Sequence, residues 1–151
     1  MNLQQLKYFW SLIPNTPGCK GCGNCCKIAP FIKSEYITIQ EYLRGNKQTL
    51  PEKGIDGYCS ALALDNKCLI YPVRPTICRL WGTQEITEFK IKGRAIELNC
   101  KVHPEANLNF HGDSRYQHYL RLYLLALNTT KTHYMLGFTE AELQAYLTRK
   151  K

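Results

Sequence analysis

The stretch "CKGCGNCC", residues 19 to 26, places Cys19, Cys22, Cys25 and Cys26 within eight positions. Cys59, Cys68, Cys78 and Cys100 follow, and no cysteine lies beyond Cys100. What such a density means depends on the redox compartment. The N-terminus "MNLQQLKYFWSLIP" has no basic leader and no continuous apolar stretch, so no secretion signal is expected. No apolar run approaches the ~20 residues that a membrane span needs, so no membrane partner is expected. The chain is therefore expected in the reducing cytoplasm. There, clustered thiols read as metal binding or redox chemistry rather than as a disulfide framework.

Zinc and the iron of iron–sulfur clusters both take thiolates, usually four per site. A Cys-x2-Cys turn can deliver two sulfurs to one metal. Gly21 and Gly23 relieve backbone strain there and leave main-chain N–H groups free to point at sulfur. The adjacent pair is a separate problem. On an extended chain, Cys25 and Cys26 point to opposite sides. On a helix, Cys19, Cys22, Cys25 and Cys26 fall at about 0°, 300°, 240° and 340°, within a third of the circumference. A helix starting near Cys22 would form one dense sulfur patch. Adjacent sulfurs serve one tetrahedral ion poorly, but they can serve two neighbouring metals or two corners of a cluster. The expectation is one compact multi-thiolate centre, not two distant zinc fingers. The later spacings, with eight residues between Cys59 and Cys68 and nine between Cys68 and Cys78, match no zinc-ribbon pattern. A single cysteine is often just a buried thiol. Eight of them confined to the first hundred residues argue for a shared role.

Charge adds little. The formal net charge is +8, which suits a soluble basic surface or nucleic-acid binding. Two four-thiolate sites would bring it to about +4, leaving part of the Lys and Arg to balance a metal centre. The 151 residues suggest one domain with an appended helical part. No repeat or low-complexity run is present.

Along the chain, Leu3, Leu6, Phe9, Trp10 and Ile13 have helical spacing, ended by Pro14. Residues 28–37 read as extended or irregular. A short helix is expected from Thr38, capped with Glu41 and stopping near Gly45. Residues 46–58 read as loop, and 59–81 as loop with short strand or turn pieces. Residues 86–99 are rich in β-formers around Lys92-Gly93 and predict a hairpin. Tyr116, Tyr119, Leu120, Tyr123, Leu124 and Leu127 share a helical face, capped by Asp113 or Ser114. Core packing is the better reading of that stripe than base stacking. A last helix carries a Thr139–Glu142 capping box and the stripe Leu143, Tyr146, Leu147. The fold expected is α+β: a small irregular metal-centred domain with a short hairpin, flanked by an N-terminal helix and two C-terminal helices. Residues 1–104 would form the cysteine-cluster part and 105–151 a helical extension packed on it.

"CKGCGNCC" followed by "CSALALDNKCLIYPVRPTICRLW" resembles the YkgJ-type cysteine-cluster family, the zinc- or iron-chelating CxxCxxCC domains. The matching positions are Cys19, Cys22, Gly23, Cys25 and Cys26, then Cys59, then Cys68, Ile70, Tyr71, Arg74, Pro75, Cys78 and Arg79, with Cys100 in the late position. The resemblance covers roughly residues 17–101 and leaves the two C-terminal helices outside it. It implies metal chelation by the cysteines, as zinc or as an iron–sulfur cluster, and implies little about activity. The flagellin lysine methylase carries a similar cluster, but this chain shows no methyl-donor-binding motif.

Arg74 and Arg79 flank Cys78 and could offer donors and positive charge to the thiolates, in a loop stiffened by Tyr71, Pro72 and Pro75. His103, three positions after Cys100, has a plausible ligand spacing, but ordinary loop before Pro104 is the better reading. His111, His118 and His133 read as surface or helix residues. No Ser–His–Asp arrangement, phosphate-cradling loop or paired-carboxylate motif is present. Three functions remain: a metal-binding module with a structural centre, an iron–sulfur-dependent oxidoreductase or modifying enzyme, and a basic adaptor for nucleic acid or a protein partner.

Overall fold

Asn2 starts the first helix. Its side chain accepts the Gln5 N–H at 2.9 Å, and Gln5 Oε1 accepts the Asn2 N–H at 3.0 Å. This reciprocal cap satisfies two of the N–H groups that a helix start leaves open, and α1 runs over Leu3–Leu12. The computed structural model of the chain describes residues 1–15, 21–23, 25–26, 29–83, 88–108 and 110–149. Within these, α2 spans Lys33–Gly45, α3 Thr76–Leu80, α4 Ser114–Thr129 and α5 Glu140–Thr148. The hairpin strands are β1, Glu88–Ile91, and β2, Arg94–Glu97. Single 3-10 turns lie at Ile55–Gly57, Tyr71–Val73 and Pro104–Ala106. No helix among the described residues is long and apolar enough to cross a membrane.

The locally coded elements form as expected. Lys92 and Gly93 take φ of 48° and 82°, the left-handed pair that a two-residue hairpin turn needs. Phe89 lies opposite Ile96, and Ile91 opposite Arg94. Asn128 ties the hairpin to α4 by accepting the Lys92 N–H at 2.8 Å. Asp113 caps α4 through the Tyr116 N–H, and Thr139 caps α5 through the Glu142 N–H.

Two expectations fail, and the cause is tertiary in both. Residues 33–37 are helical rather than irregular, because α2 begins at Lys33 and not at Thr38. Glu35 Oε2 accepts the Ile32 N–H at 3.0 Å, which caps the helix earlier, while Thr38 Oγ1 donates to Ser34 O inside it. The 59–81 segment holds a helix, α3, whose first N–H, that of Thr76, is taken by Glu35 Oε1 at 2.6 Å. The helix considered near Cys22 does not form. Gly21 and Gly23 sit at φ of 62° and 74°, and the Cys26 N–H closes a turn onto Gly23 O at 2.9 Å.

Two apolar clusters organise the chain. The larger joins Leu6 and Phe9 of α1, Ile77 and Leu80 of α3, the hairpin's Ile91 and Ile96, Tyr116, Leu120, Tyr123 and Leu127 of α4, and Leu143 and Leu147 of α5. The tyrosine stripe is thus core: Phe9 meets Tyr116 and Tyr123 at ring separations of 5.7 and 6.1 Å. The smaller cluster holds Phe31, Ile39, Leu43, Ala61 and Ile70. A backbone bridge between Phe31 and Tyr134 links the N-terminal half to the segment before α5. His133 is not a surface residue. It is buried, with Nε2 2.6 Å from Leu127 O near the end of α4, and burial pulls its pKa down.

Candidate metal centre

Between the two clusters lies a cavity of about 430 Å³. Ile77 and Met135 of the larger cluster and Phe31, Ala61 and Ile70 of the smaller one line it. Its wall also carries Cys22, Cys25, Cys26, Cys59, Cys68, Cys78 and Cys100. All seven are free thiols. Cys19 lies outside the described residues.

Local structure delivers these sulfurs from four directions. The motif loop, held open by Gly21 and Gly23, brings Cys22, Cys25 and Cys26. Cys59 is anchored to that loop, its N–H donating to Cys26 O at 2.7 Å, and its Sγ lies 3.4 Å from the Ala61 N–H. A tight turn pairing Leu62 with Cys68 presents the next thiol. Helix α3 carries Cys78, and Cys100 comes from the loop after the hairpin.

Gly23 is needed for two reasons. Its φ is positive, and a Cβ there would stand 3.1 Å from Asn66 Oδ1 and 3.2 Å from Leu62 Cδ2. The motif loop therefore rests directly on the 59–68 turn. Gly21 has a positive φ but open space around it. Gly23→Ala should destabilise the protein more than Gly21→Ala. Both carry the ~1–2 kcal/mol strain of a left-handed residue, and only the first adds tight contacts, to which the Asn66 and Leu62 side chains must yield by a few tenths of an ångström. Parallel thermal melts check this; equal losses would show that the two loops are not pressed together.

Burial and the neighbouring sulfurs disfavour ionisation of these thiols. Burial raises Cys78 well above the usual thiol range, and Cys59, Cys68 and Cys25 add to it. Cys59 is pushed up to about 11, mainly by burial. Burial raises Cys68, opposed by the Ile70 N–H and by Arg74. The hydrogen bond shared with the Cys26 side chain, then burial, raises Cys25. Each thiolate would repel the next, so several can coexist only around a compensating cation.

The flanking residues are placed as follows. Arg74 and Tyr71 border the cavity, with the guanidinium stacked 3.8 Å over the Tyr71 ring and Nη1 donating to Tyr71 O. Arg79 is turned to the loop, donating from Nε to Arg74 O at 3.0 Å and from Nη2 to Pro72 O at 2.6 Å. It stacks 4.1 Å over Trp10, and burial first, then Arg74, lowers its pKa to about 10. His103 also borders the cavity.

Three residues other than cysteine bear on the site. Lys67 lines the cavity. Trp81 lines it too, and its Nε1–H is buried without a hydrogen-bond partner among the described residues. Glu35, fully buried, accepts from Ile32 N, Thr76 N and, at 3.0 Å, from Tyr123 Oη. Thr76 Oγ1 in turn accepts from Trp10 Nε1 at 2.8 Å. Burial raises the Glu35 pKa, opposed by the hydrogen bonds from Thr76, Ile32 and Tyr123. Through Thr76 this carboxyl fixes the start of the helix that bears Cys78.

Soft thiols on one wall fit zinc or iron–sulfur iron. The orphaned Trp81 N–H is a donor that a thiolate or sulfide would satisfy. Among the described residues, no three Cys, His, Asp or Glu side chains already stand as a ready set around one ion; the sulfurs border the space rather than fill it. The family sequence model CxxCxxCC, described as "Putative zinc- or iron-chelating domain", matches residues 18–101. No curated protein and no solved structure matches the chain.

Proposed function

The chain belongs to the CxxCxxCC family, and from that premise we propose that its cysteines hold more than one metal atom in a single thiolate centre that also organises the fold. One observation carries this: seven described thiols from four separate segments border the same cavity. A cavity of about 430 Å³ has the volume of roughly fourteen waters at ~30 Å³ each. That is far more than one ion occupies, and it suits two neighbouring four-thiolate sites or a cluster. Cys19 would complete the set of eight, with Cys22, Cys25, Cys26, Cys59, Cys68, Cys78 and Cys100. Arg74 and Lys67 would offset part of the thiolate charge. Residues 105–151 act as a helical extension, and their share in the larger cluster supports this. The reading suits a reducing compartment, where thiols stay available.

Zinc is the leading metal for protein handled in air, because it has no redox chemistry to lose there. The test is elemental analysis of anaerobically purified protein, with labile sulfide and visible absorption on the same sample. Two zinc per chain, colourless and free of sulfide, is the expected result. Iron with matching sulfide and a brown colour would keep the centre and assign it as a cluster. One metal atom per chain would reject a polynuclear centre, and no metal with all thiols titrating would reject chelation.

A further inference from the structure

Cys100 does not stand alone on the cavity wall, because His103 borders the same space. The loop that carries both is closed on itself. Asn107 Oδ1 accepts the Cys100 N–H at 2.8 Å, and Asn107 Nδ2 donates to Cys100 O at 3.0 Å. The Ala106 N–H donates to His103 O at 3.0 Å, closing the 3-10 turn. The His103 N–H in turn points at Cys100 Sγ, 3.3 Å away. The two side chains are thus held on one short, cross-braced loop.

We propose that His103 is a metal ligand beside Cys100, so that the centre contains one imidazole nitrogen among its sulfurs. The proposal rests on the metal-centre reading above. The imidazole has a carboxylate beside it. Its Nδ1 lies 3.4 Å from Glu105 Oε1, and a carboxylate there favours the tautomer with its proton on Nδ1. The Nε2 lone pair is then the free one, the arrangement that metal-bound histidines use when their other nitrogen faces a carboxylate. Other histidines are engaged differently. His133 is buried with Nε2 against Leu127 O, and His118 sits edge-on to Tyr119 at 5.4 Å. Neither borders the cavity. Where His103 fills a coordination position that a thiolate would otherwise take, that metal carries one fewer negative charge, and one of the eight cysteines stays outside the shell. In an iron–sulfur centre, nitrogen ligation raises the reduction potential.

The deciding experiment is X-ray absorption on anaerobically purified wild-type protein, at the edge of whichever metal, zinc or iron, it carries. The expected result is a sulfur shell with the scattering pattern of one imidazole. His103→Cys should keep its metal and show sulfur alone, with circular dichroism reporting the fold. Glu105→Ala changes only an exposed partner, so it should fold and lose roughly 10–100-fold in metal affinity. An all-sulfur shell in the wild type overturns the proposal. So does an imidazole pattern that survives His103→Cys, or a Glu105→Ala variant with unchanged affinity. A wild-type protein without metal would overturn the metal-centre reading itself, a separate and recognisable failure.

Discussion

Removing the metal with a strong chelator should lower Tm by roughly 20–60 °C or abolish cooperative melting altogether. The size follows from two magnitudes. A structural zinc site contributes about 10–16 kcal/mol at neutral pH in small zinc-binding peptides, while a whole domain is net stable by only ~5–15 kcal/mol. A chain of this length shifts by roughly 2–4 °C per kcal/mol. The part at risk is identifiable. Among the described residues of 21–83, α-helix is confined to α2 and the single turn and a half of α3, and the smaller apolar cluster, to which this part contributes five buried residues, is its own. The four segments that supply thiols have few other reasons to meet. Limited proteolysis of the chelated protein should therefore cut between residues 21 and 83 before it cuts α4 or α5. If chelated protein kept both its melting temperature and its resistance to protease, the centre would not be structural. A redox role would then become the better reading.

Much of this architecture is legible in the sequence because it is coded locally. The Lys92-Gly93 turn, the Asp113 cap and the Thr139–Glu142 capping box each lie within a few residues of what they organise, and each forms. The start of α2 shows the limit. Thr38–Glu41 is the start that the sequence marks, Ile32 offers no capping side chain, and the earlier start is set by burial of Glu35 against α3 and α4. α3 is capped from forty-one residues away, which no local window contains. The site divides in the same way. The cysteines announce themselves by spacing, but their convergence on one cavity depends on where Gly23 meets the 59–68 turn. Glu35 left a readable sign: it falls four residues after Phe31 and four before Ile39, a charged residue on an apolar helical face. Trp81 left none, since an unpaired indole N–H exists only once its surroundings are built.

Glu35→Ala should cost about 3–5 kcal/mol, because it deletes a buried acceptor on which several donors depend. The side chain is fully buried, and three described donors converge on it. Alanine would strand the Thr76 N–H, the Ile32 N–H and the Tyr123 hydroxyl away from water, each at ~1–3 kcal/mol if nothing relaxes. Glutamine is the sharper probe. Each carboxylate oxygen already accepts a backbone N–H, Oε2 from Ile32 and Oε1 from Thr76. An amide must put its NH2 group against one of them, in either flip. Glu35→Gln should therefore lose about 1–3 kcal/mol despite its near-identical shape, and urea melts of the two variants should rank alanine below glutamine below wild type. The loss should also reach the metal centre, because Thr76 lies two positions before Cys78 on α3. At a stability where Glu35→Gln is still folded, its metal content should fall relative to a control core variant of equal stability, such as Leu127→Val or Leu143→Ala, at positions of the larger cluster that do not line the cavity. Equal metal retention in the two would confine Glu35 to holding helices together. A selective loss would show that a buried carboxyl, and not the cysteine motif alone, sets where the Cys78 sulfur stands.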